Sequence, residues 1–296
     1  MKRNLFRFWK PLLSVIFWGI SFIATKVVLS ELDPQTIILL RLLLGIALLT
    51  VIALYTKRDF SISLKNHGGI FLLALIAVFH LYIQITGLKF TTATNTGWII
   101  GLSPVFIAML GFLIFKERLT VIKISGIVIA FVGLLLLISK GNISGLSLIK
   151  HRGDFLVLAS AFTWSVYSIV NKKISLNYSP LMTILFLFII MAVMIFPFTI
   201  NHKAILSVLH LSAKGWMAIL FLGIFCSGIA YVFWAQALKE LEATKVGAVL
   251  YFEPFVTAFA AWMLLGEDIT PLIILSGLII TSGVMLVNKV GKKFST

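Results

Sequence analysis

The chain has 296 residues, of which 60% are hydrophobic and 12% are charged, and its formal net charge is +15. Soluble domains carry about a quarter charged residues, so this composition excludes an ordinary soluble protein and indicates a lipid bilayer. The single cysteine, Cys226, excludes an intrachain disulfide and gives no support to a metal site.

Apolar stretches separated by short polar connectors recur along the whole chain. Each is about 18 to 25 residues long, which is enough to cross a hydrocarbon core of roughly 30 Å as a helix. The runs are continuously apolar, whereas the strands of a membrane barrel alternate. We therefore predict an all-α membrane protein with ten transmembrane helices, at residues 10–29, 36–56, 69–88, 93–115, 121–139, 153–173, 180–200, 215–238, 246–265 and 271–289.

The positive charge is concentrated in alternate connectors. If the N-terminus is inside, the outer connectors hold only Lys89, Lys140, Lys150, Arg152, Lys203 and Lys214, and the other loop lysines and arginines lie inside. This asymmetry predicts a multi-pass membrane protein with both termini in the cytoplasm. It also explains the basic charge without a nucleic-acid partner. The first span is long enough to remain in the membrane, so no cleaved signal peptide is expected.

Two cations lie inside the first two predicted spans. Lys26 is about 6 Å from the membrane edge, where a lysine can extend to the interface. Arg41 lies deeper in the second span. Both are candidates to line an entrance for a solute, and both have the alternative of pairing with Glu31, Asp33 or lipid headgroups.

The third and fourth spans add polar and aromatic candidates. His80 and Tyr82 lie in the third, and Trp98 and Ser103 in the fourth. The small residues around them, such as Gly97, are better explained by close helix packing than by a binding role.

The chain is internally duplicated. With an offset of 150 residues and no gap, the second half aligns Gly97 with Gly247, Pro104 with Pro254, Glu117 with Glu267, Thr120 with Thr270 and Gly133 with Gly283; after a small gap, Trp18, Lys26 and Pro34 match Trp164, Lys172 and Pro180. We predict two repeats, residues 10–139 and 153–289, joined by a linker at 140–152. Because each repeat has five spans, an odd number, the second must be inverted relative to the first.

Four of the aligned residues are interpreted as structural. Pro104 and Pro254 remove a backbone hydrogen bond in mid-span and should interrupt or kink their helices. Glu117 and Glu267 lie where a span ends and should bind nearby backbone or basic groups. The threonine three residues later, such as Thr120, is a predicted N-cap of the next helix.

The second half supplies further candidates for a solute cavity. They are the aromatic residues Trp164, Tyr167, Tyr231, Trp234 and Tyr251. Trp164 and Trp234 lie too deep or too close to polar neighbours to be simple interfacial anchors. The alternative role of such residues is anchoring at the membrane interface.

Glu253 is the one acidic residue of ten that falls at mid-membrane. About 11 Å of helix separates it from either predicted end, beyond the reach of a short side chain. A carboxyl that gains and loses a proton there is a candidate coupling site. The alternative is a permanently protonated group bonded to a carbonyl that Pro254 frees. Its register partner is Ser103, so the halves differ chemically.

The paired patterns Ala-Thr, Pro and Glu-Arg-Leu-Thr (Ala93 to Thr120) and Ala-Thr, Pro and Glu-Asp-Ile-Thr (Ala243 to Thr270) resemble the drug/metabolite transporter superfamily. Together with the ten spans and the stretch from Trp18 to Lys26, they are similar to bacterial EamA-domain transporters. The resemblance implies a two-repeat bundle in the inner (plasma) membrane with a central cavity that works by alternating access. It assigns the family motif to Pro104, Pro254, Glu117 and Glu267.

The main functional hypothesis is a secondary exporter of small metabolites, such as amino acids, in which Glu253 is a candidate proton site. No Gly-rich phosphate loop ending in Gly-Lys-Ser/Thr occurs, and no cofactor or metal is expected. A non-transporting scaffold or subunit remains open, and an intramembrane enzyme is disfavoured because His80 has no metal-binding or nucleophilic partner motif. The sequence leaves open the solute, the direction, the coupling ion and whether the chain forms a homodimer.

Overall fold

The computed structural model describes residues 8–60, 67–139, 152–175, 178–265 and 271–288. Within these ranges all regular elements are helices, as predicted. The α-helices are α1 (Trp9–Val28), α2 (Pro34–Tyr55), α3 (His67–Lys89), α4 (Ala93–Ile100), α5 (Ser103–Phe115), α6 (Val121–Ser139), α7 (Arg152–Ser175), α8 (Pro180–Ile195), α9 (His202–Leu209), α10 (Ala213–Phe221), α11 (Ala230–Glu240), α12 (Ala243–Ala248), α13 (Glu253–Leu265) and α14 (Pro271–Asn288).

Eight helical segments of the described chain are long and apolar enough to cross a membrane. Three of them are composite: α4 with α5, α10 with α11, and α12 with α13. The apolar parts of α6 and α14, Val121–Leu136 and Ile274–Val287, are shorter. The multi-pass membrane fold is thus confirmed, and the count of ten spans stays a prediction. Most of the predicted linker, together with Glu267 and Thr270, lies outside the described residues.

Both interruptions expected at the aligned prolines are present. Gly101 and Leu102 separate α4 from α5, and the 3-10 turn Val249–Phe252 separates α12 from α13. Pro104 and Pro254 each occupy the second position of the helix that follows. Proline is tolerated there because backbone N–H groups in the first turn of a helix have no intrahelical acceptor, so the missing N–H of proline loses no hydrogen bond.

The first helix of each half packs into the opposite half. Helix α1 lies against α10, α11 and α13, whereas α7 lies against α3, α4 and α5. The buried core forms around these two helices, with Trp18 of α1 and Trp164 of α7 among its members. The two halves are therefore interleaved at the centre of the bundle.

Glycines allow the closest helix contacts. A Cβ atom added to Gly283 in α14 would lie 2.5 Å from the Ala130 backbone nitrogen and 2.6 Å from the Gly126 carbonyl oxygen in α6. A Cβ at Gly97 would lie 2.9 Å from Thr257 Oγ1. Since apolar lipid gives helices no hydrophobic reason to associate, backbone approach of this kind is a main source of their packing energy. The packing role expected of Gly97 is confirmed.

Two elements were not predicted. The short helix α9 lies in a segment that hydropathy assigns to a connector, and the Asn201 side chain caps it by accepting the Ala204 N–H at 2.8 Å. Residues Leu222–Ile229 form a π-helix inside one apolar span. Hydropathy cannot distinguish a π-helix from an α-helix, because both satisfy the backbone internally.

The bundle has two ends that its contacts distinguish. At one, the Lys10 ammonium at the start of α1 pairs with Glu240 at the end of α11 (3.2 Å). Lys26 lies 16 residues further along α1, which corresponds to about 24 Å of helix. These are named the Lys10 end and the Lys26 end.

Candidate functional site

A small cavity lies between the helices at the centre of the bundle. Its volume is about 30 Å³. It is lined from both halves by Trp18, Ser21, Phe22, Arg41, His80, Leu81, Gln84, Ile100, Trp164, Tyr231 and Glu253. A few polar groups set among apolar and aromatic side chains are typical of small-molecule sites.

Arg41 is held inside the bundle by the π-helix. Its side chain is 4% exposed, and its Nε donates to Ser227 Oγ at 2.8 Å. Ser227 lies in the segment Leu222–Ile229, where the π-turn changes which side chains face α2. Of the two alternatives for Arg41, the structure therefore supports the cavity, because Arg41 has no ion pair with Glu31 or Asp33 among the described contacts.

His80 and Gln84 lie one turn apart on α3 and both face the cavity. His80 is buried, with its Nδ1 3.0 Å from the Ser160 carbonyl oxygen. If Nδ1 carries the proton it donates to this carbonyl, and Nε2 is then an acceptor. The imidazole lies against the Trp164 indole with ring centres 5.2 Å apart. His80 can thus accept a hydrogen bond within the cavity without carrying charge.

Glu253 enters the cavity at the first turn of α13. It is 3% exposed, and among the described residues no hydrogen-bond partner reaches its Oε2. The break before Pro254 places the carboxyl at a helix N-terminus, where partial positive charge favours an acidic group. Arg41 and Glu253 line the same cavity without forming an ion pair within 4 Å. The site thus holds a cation and a carboxyl that are available to a third group.

Aromatic rings form one wall of the cavity. The Trp18 indole meets Trp164 edge-on at 4.8 Å and Tyr231 at 5.7 Å, and Trp164 meets Tyr231 at 5.7 Å. Behind this layer Tyr167 stacks on Trp164 at 5.0 Å, and the Trp234 Nε1 donates to Ser168 Oγ at 3.2 Å. Tyr167 and Trp234 therefore support the wall without lining the cavity.

The other predicted site residues lie elsewhere. Tyr82 is 43% exposed on the outside of α3, while Trp98 and Tyr251 belong to a separate cluster with α6 and α14. The Ser103 hydroxyl donates to the Ala161 carbonyl oxygen at 3.3 Å. Lys26 donates to backbone carbonyls at its end of the bundle.

Glu117 contacts the backbone of the opposite half. Its carboxylate accepts the backbone N–H groups of Ala243 and Thr244 at 2.6 and 3.0 Å. Thr120, the predicted N-cap of α6, accepts the Lys123 N–H on its hydroxyl at 3.4 Å. No three His, Cys, Asp or Glu side chains of the described ranges lie close enough to hold a metal ion.

Six lining residues were not among the predicted candidates: Trp18, Ser21, Phe22, Leu81, Gln84 and Ile100. A signal existed for two of them. Trp18 is the repeat partner of Trp164, and Gln84 is four residues from His80 and hence on the same helix face.

A larger cleft opens at the Lys10 end. It has a volume of about 860 Å³ and is bounded by α1, α2, α8 and α11. Lys10, Arg58, Lys239 and Glu240 lie at this cleft, and Val232, one residue from the cavity-lining Tyr231, lies on its wall. A third, wholly apolar groove runs between α1 and α13.

The comparison with known families decides the family. The description of the EamA-like transporter family matches residues 9–139 and again residues 151–289. The chain belongs to this family. It is accordingly a multi-pass membrane transporter of the drug/metabolite transporter superfamily.

Relatives cover the full length of the EamA chain. An "Uncharacterized transporter" of Archaeoglobus fulgidus is 31% identical over 93% of this chain and 94% of its own. A "Probable amino-acid metabolite efflux pump" of Salmonella typhimurium is 26% identical over 93% and 92% of the two chains. A solved crystal structure superposes with a TM-score of 0.76 at 17% identity and covers 96% of both chains, which shows a shared fold.

Proposed function

We propose that this transporter exports small amphipathic metabolites, amino acids or related solutes, by alternating access. The observation that carries the proposal is the central cavity, where Arg41, His80 and Glu253 face a wall of aromatic rings. Arg41 suits an anionic group of the solute, Glu253 suits a cationic one, and the rings suit an apolar body. The relative from Salmonella typhimurium named as an amino-acid metabolite efflux pump supports this solute class.

The size of the cavity supports a transport cycle with a closed state. About 30 Å³ is room for two or three water molecules and is too small for an amino acid. A solute can therefore enter only after helices separate. The open cleft at the Lys10 end supports an approach from that side. Under the positive-inside rule that side is the cytoplasm, which supports export and cytoplasmic termini.

Proton coupling at Glu253 is part of the proposal. A buried carboxyl whose oxygen has no donor is stable when neutral, because an unpaired buried charge is costly. When the cavity opens to water or a cationic group arrives, the ionised form gains partners. Release of the proton on one side and uptake on the other would then connect solute movement to a proton gradient.

The architecture we propose for this cycle is two inverted five-helix halves. Support comes from the two family matches and from the equivalent helix breaks before Pro104 and Pro254. A scaffold without transport activity would need no polar central cavity, so the lining residues disfavour that alternative.

A solute screen in proteoliposomes tests the proposal. Purified protein is reconstituted, and uptake of radiolabelled amino acids and related amphipathic metabolites is measured with and without a pH gradient, against protein-free vesicles. We expect protein-dependent flux of at least one amphipathic metabolite that rises with the gradient. Flux restricted to inorganic ions or to strongly apolar compounds would contradict the proposed solute class.

A further inference from the structure

Two lysines make equivalent contacts at opposite ends of the bundle. The Lys26 ammonium donates to the carbonyl oxygens of Leu88 and Thr91 at 2.7 and 2.6 Å. The Lys172 ammonium donates to those of Leu238 (3.2 Å) and Leu241. The acceptors are 150 positions apart, the offset of the repeat, so each lysine binds the same turn of its own half.

These turns join the third and fourth spans of each half. Thr91 follows the end of α3, and Leu241 follows the end of α11. Carbonyls at a helix C-terminus lack intrahelical donors, and an ammonium satisfies them while matching the partial negative charge there. Each lysine therefore fixes the shape of its turn, and Lys172 in addition lies 3.8 Å from the Glu117 carboxylate of the first half.

A buried carboxylate from the opposite half binds each turn. At the Lys10 end, Glu117 of the first half accepts the Ala243 and Thr244 N–H groups and the Thr244 hydroxyl, the last at 2.7 Å. At the Lys26 end, Asp154 of the second half accepts the Thr91 hydroxyl and the Asn95 amide, both at 2.6 Å. The exposed fractions of Glu117 and Asp154 are 8% and 0%.

The hydrogen bonds of Glu117 and of Asp154 to the opposite half form two cross-links, and both are strong because they are buried. Hydrogen bonds to an ionised carboxylate are shorter and stronger than neutral ones, and a buried carboxylate that loses its donors is destabilised. The central cavity has a volume of only about 30 Å³ in this structure, in which both cross-links are formed. Opening the bundle at one end separates a turn from the opposite half, so it breaks the cross-link at that end alone.

We propose that Glu117 and Asp154 are paired positioning residues that determine at which end the central cavity opens. Glu117 holds the Lys10 end closed, and Asp154 holds the Lys26 end closed. Loss of either shifts the population of conformations toward opening at its own end, because a two-state equilibrium moves by the difference in stabilisation between its states. The inference rests on the proposed alternating access and assigns its two gates.

Accessibility of the cavity from each side tests this assignment without a solute. In a Cys226→Ser background, Ser21→Cys places one thiol on the cavity wall. A membrane-impermeant thiol reagent is applied to right-side-out and to inverted vesicles. Relative to this parent, we expect Glu117→Gln to raise the labelling rate at least threefold from the Lys10 side and to lower it from the Lys26 side. Asp154→Asn should have the reverse effect.

Matched variants separate gating from general loosening. Asp33→Asn and Glu240→Gln remove carboxylates of exposed ion pairs in or beside the same two turns but leave every hydrogen bond of Asp154 and Glu117 in place, and they should leave the rates unchanged. If a carboxyl variant is not inserted, Thr244→Val and Thr91→Val remove one bond of each cross-link and should repeat the opposite shifts on a smaller scale.

Each result has a clear consequence. Suppose that the parent is labelled from both sides. If Glu117→Gln and Asp154→Asn then shift the labelling rates in the same direction, or do not shift them, the paired gates are overturned and alternating access stays intact. A parent that is labelled from neither side when native, but is labelled after denaturation, would instead count against the proposed transport cycle.

Discussion

The two halves share an arrangement of helices, here called the frame, and differ in the side chains that they place at its centre. Pro34 and Pro180 begin equivalent helices, and the eighth residue of each is Arg41 in the first half and Leu187 in the second. In the fourth span of each half the ionisable residue is in the second half: Glu253 corresponds to Ser103 of the first half. The first half thus supplies the Arg41 guanidinium to the cavity, and the second half supplies the Glu253 carboxyl.

This difference has an electrostatic reason. A strictly symmetric cavity would place two arginines or two carboxyls in one closed space, where like charges are costly because the low dielectric does not screen them. The backbone of a duplicated chain can be symmetric while its charged side chains are not. The frame determines where the cavity lies, and the unmatched residues determine what it binds.

Arg41 and Glu253 are the two cavity residues without an equivalent in the other half. The largest effect should come from the acidic one, Glu253. Glu253→Gln keeps the size of the side chain but cannot bind and release a proton, so gradient-driven uptake in proteoliposomes should fall to the protein-free level. Counterflow without a gradient should become independent of pH. The register partner gives the control: Ser103→Ala should keep both activities. Wild-type pH dependence in Glu253→Gln would refute proton coupling at this residue.

The basic member of the pair should affect affinity. Arg41→Gln should raise the KM for a carboxylate-bearing solute more than about tenfold, since losing a buried charge contact typically costs more than about 1.4 kcal/mol. The kcat should change less, and Arg41→Lys should restore part of the affinity. Leu187→Met, at the equivalent position, is the control and should leave KM unchanged. An equal rise in KM in both variants would mean that Arg41 acts only through packing.

A third prediction concerns the shared frame. Gly283→Ala places a methyl group against backbone atoms of α6, and it should destabilise the detergent-solubilised protein by about 1–3 kcal/mol, as other overpacked sites do. Thermal unfolding followed by tryptophan fluorescence measures the change. Gly68→Ala is the matched control, because no atom lies within 4 Å of its added Cβ. Equal midpoints would show that α6 and α14 separate at little cost.

The smallest effect is expected on the pH dependence of stability, at two surface glutamates, Glu242 and Glu31. Burial raises the pKa of Glu242, but the ammonium groups of Lys123 and Lys245 outweigh it and leave the pKa lowered. The pKa of Glu31 is lowered by the Ser212 backbone N–H and then by its hydroxyl. A lowered pKa stabilises the fold above the ordinary pKa of the unfolded glutamate and loses that contribution as the pH falls through the folded value.

Stability measured against pH and salt tests this comparison. Glu242→Gln and Glu31→Gln should both lower the unfolding midpoint at pH 7, and both differences should vanish in acid below the glutamate range. High salt should reduce only the Glu242 difference, since it depends on partly exposed ion pairs, whereas Glu31 binds a neutral residue. A Glu31 difference that salt also removes would contradict its assignment to Ser212.

Much of the fold could be predicted from hydropathy and the repeat. The spans agree with the structure within a few residues in most helices, and the aligned prolines located both helix breaks. The π-helix at Leu222–Ile229 could not be found, because it has the same apolar composition as an α-helix. Short helix α9 was missed because eight residues give little periodic signal.

The cavity was predicted only in part. Depth and charge correctly drew attention to Arg41 and Glu253, yet Tyr82 was grouped with His80 although the two project from different faces of α3. In a soluble helix the polar face reveals its exposed side, but in lipid both faces are apolar. The sequence therefore shows which residues are at mid-membrane and not which of them face inward.

The interleaving of the two halves has a consequence for biosynthesis. When only residues 1–139 have been made, the groove that α3, α4 and α5 form for α7 faces lipid, and Thr91 and Asn95 lack the Asp154 carboxylate. Glu117 likewise waits for the turn at Ala243 and Thr244. The first half therefore lacks part of its packing and these hydrogen bonds until the helices of the second half are in the bilayer.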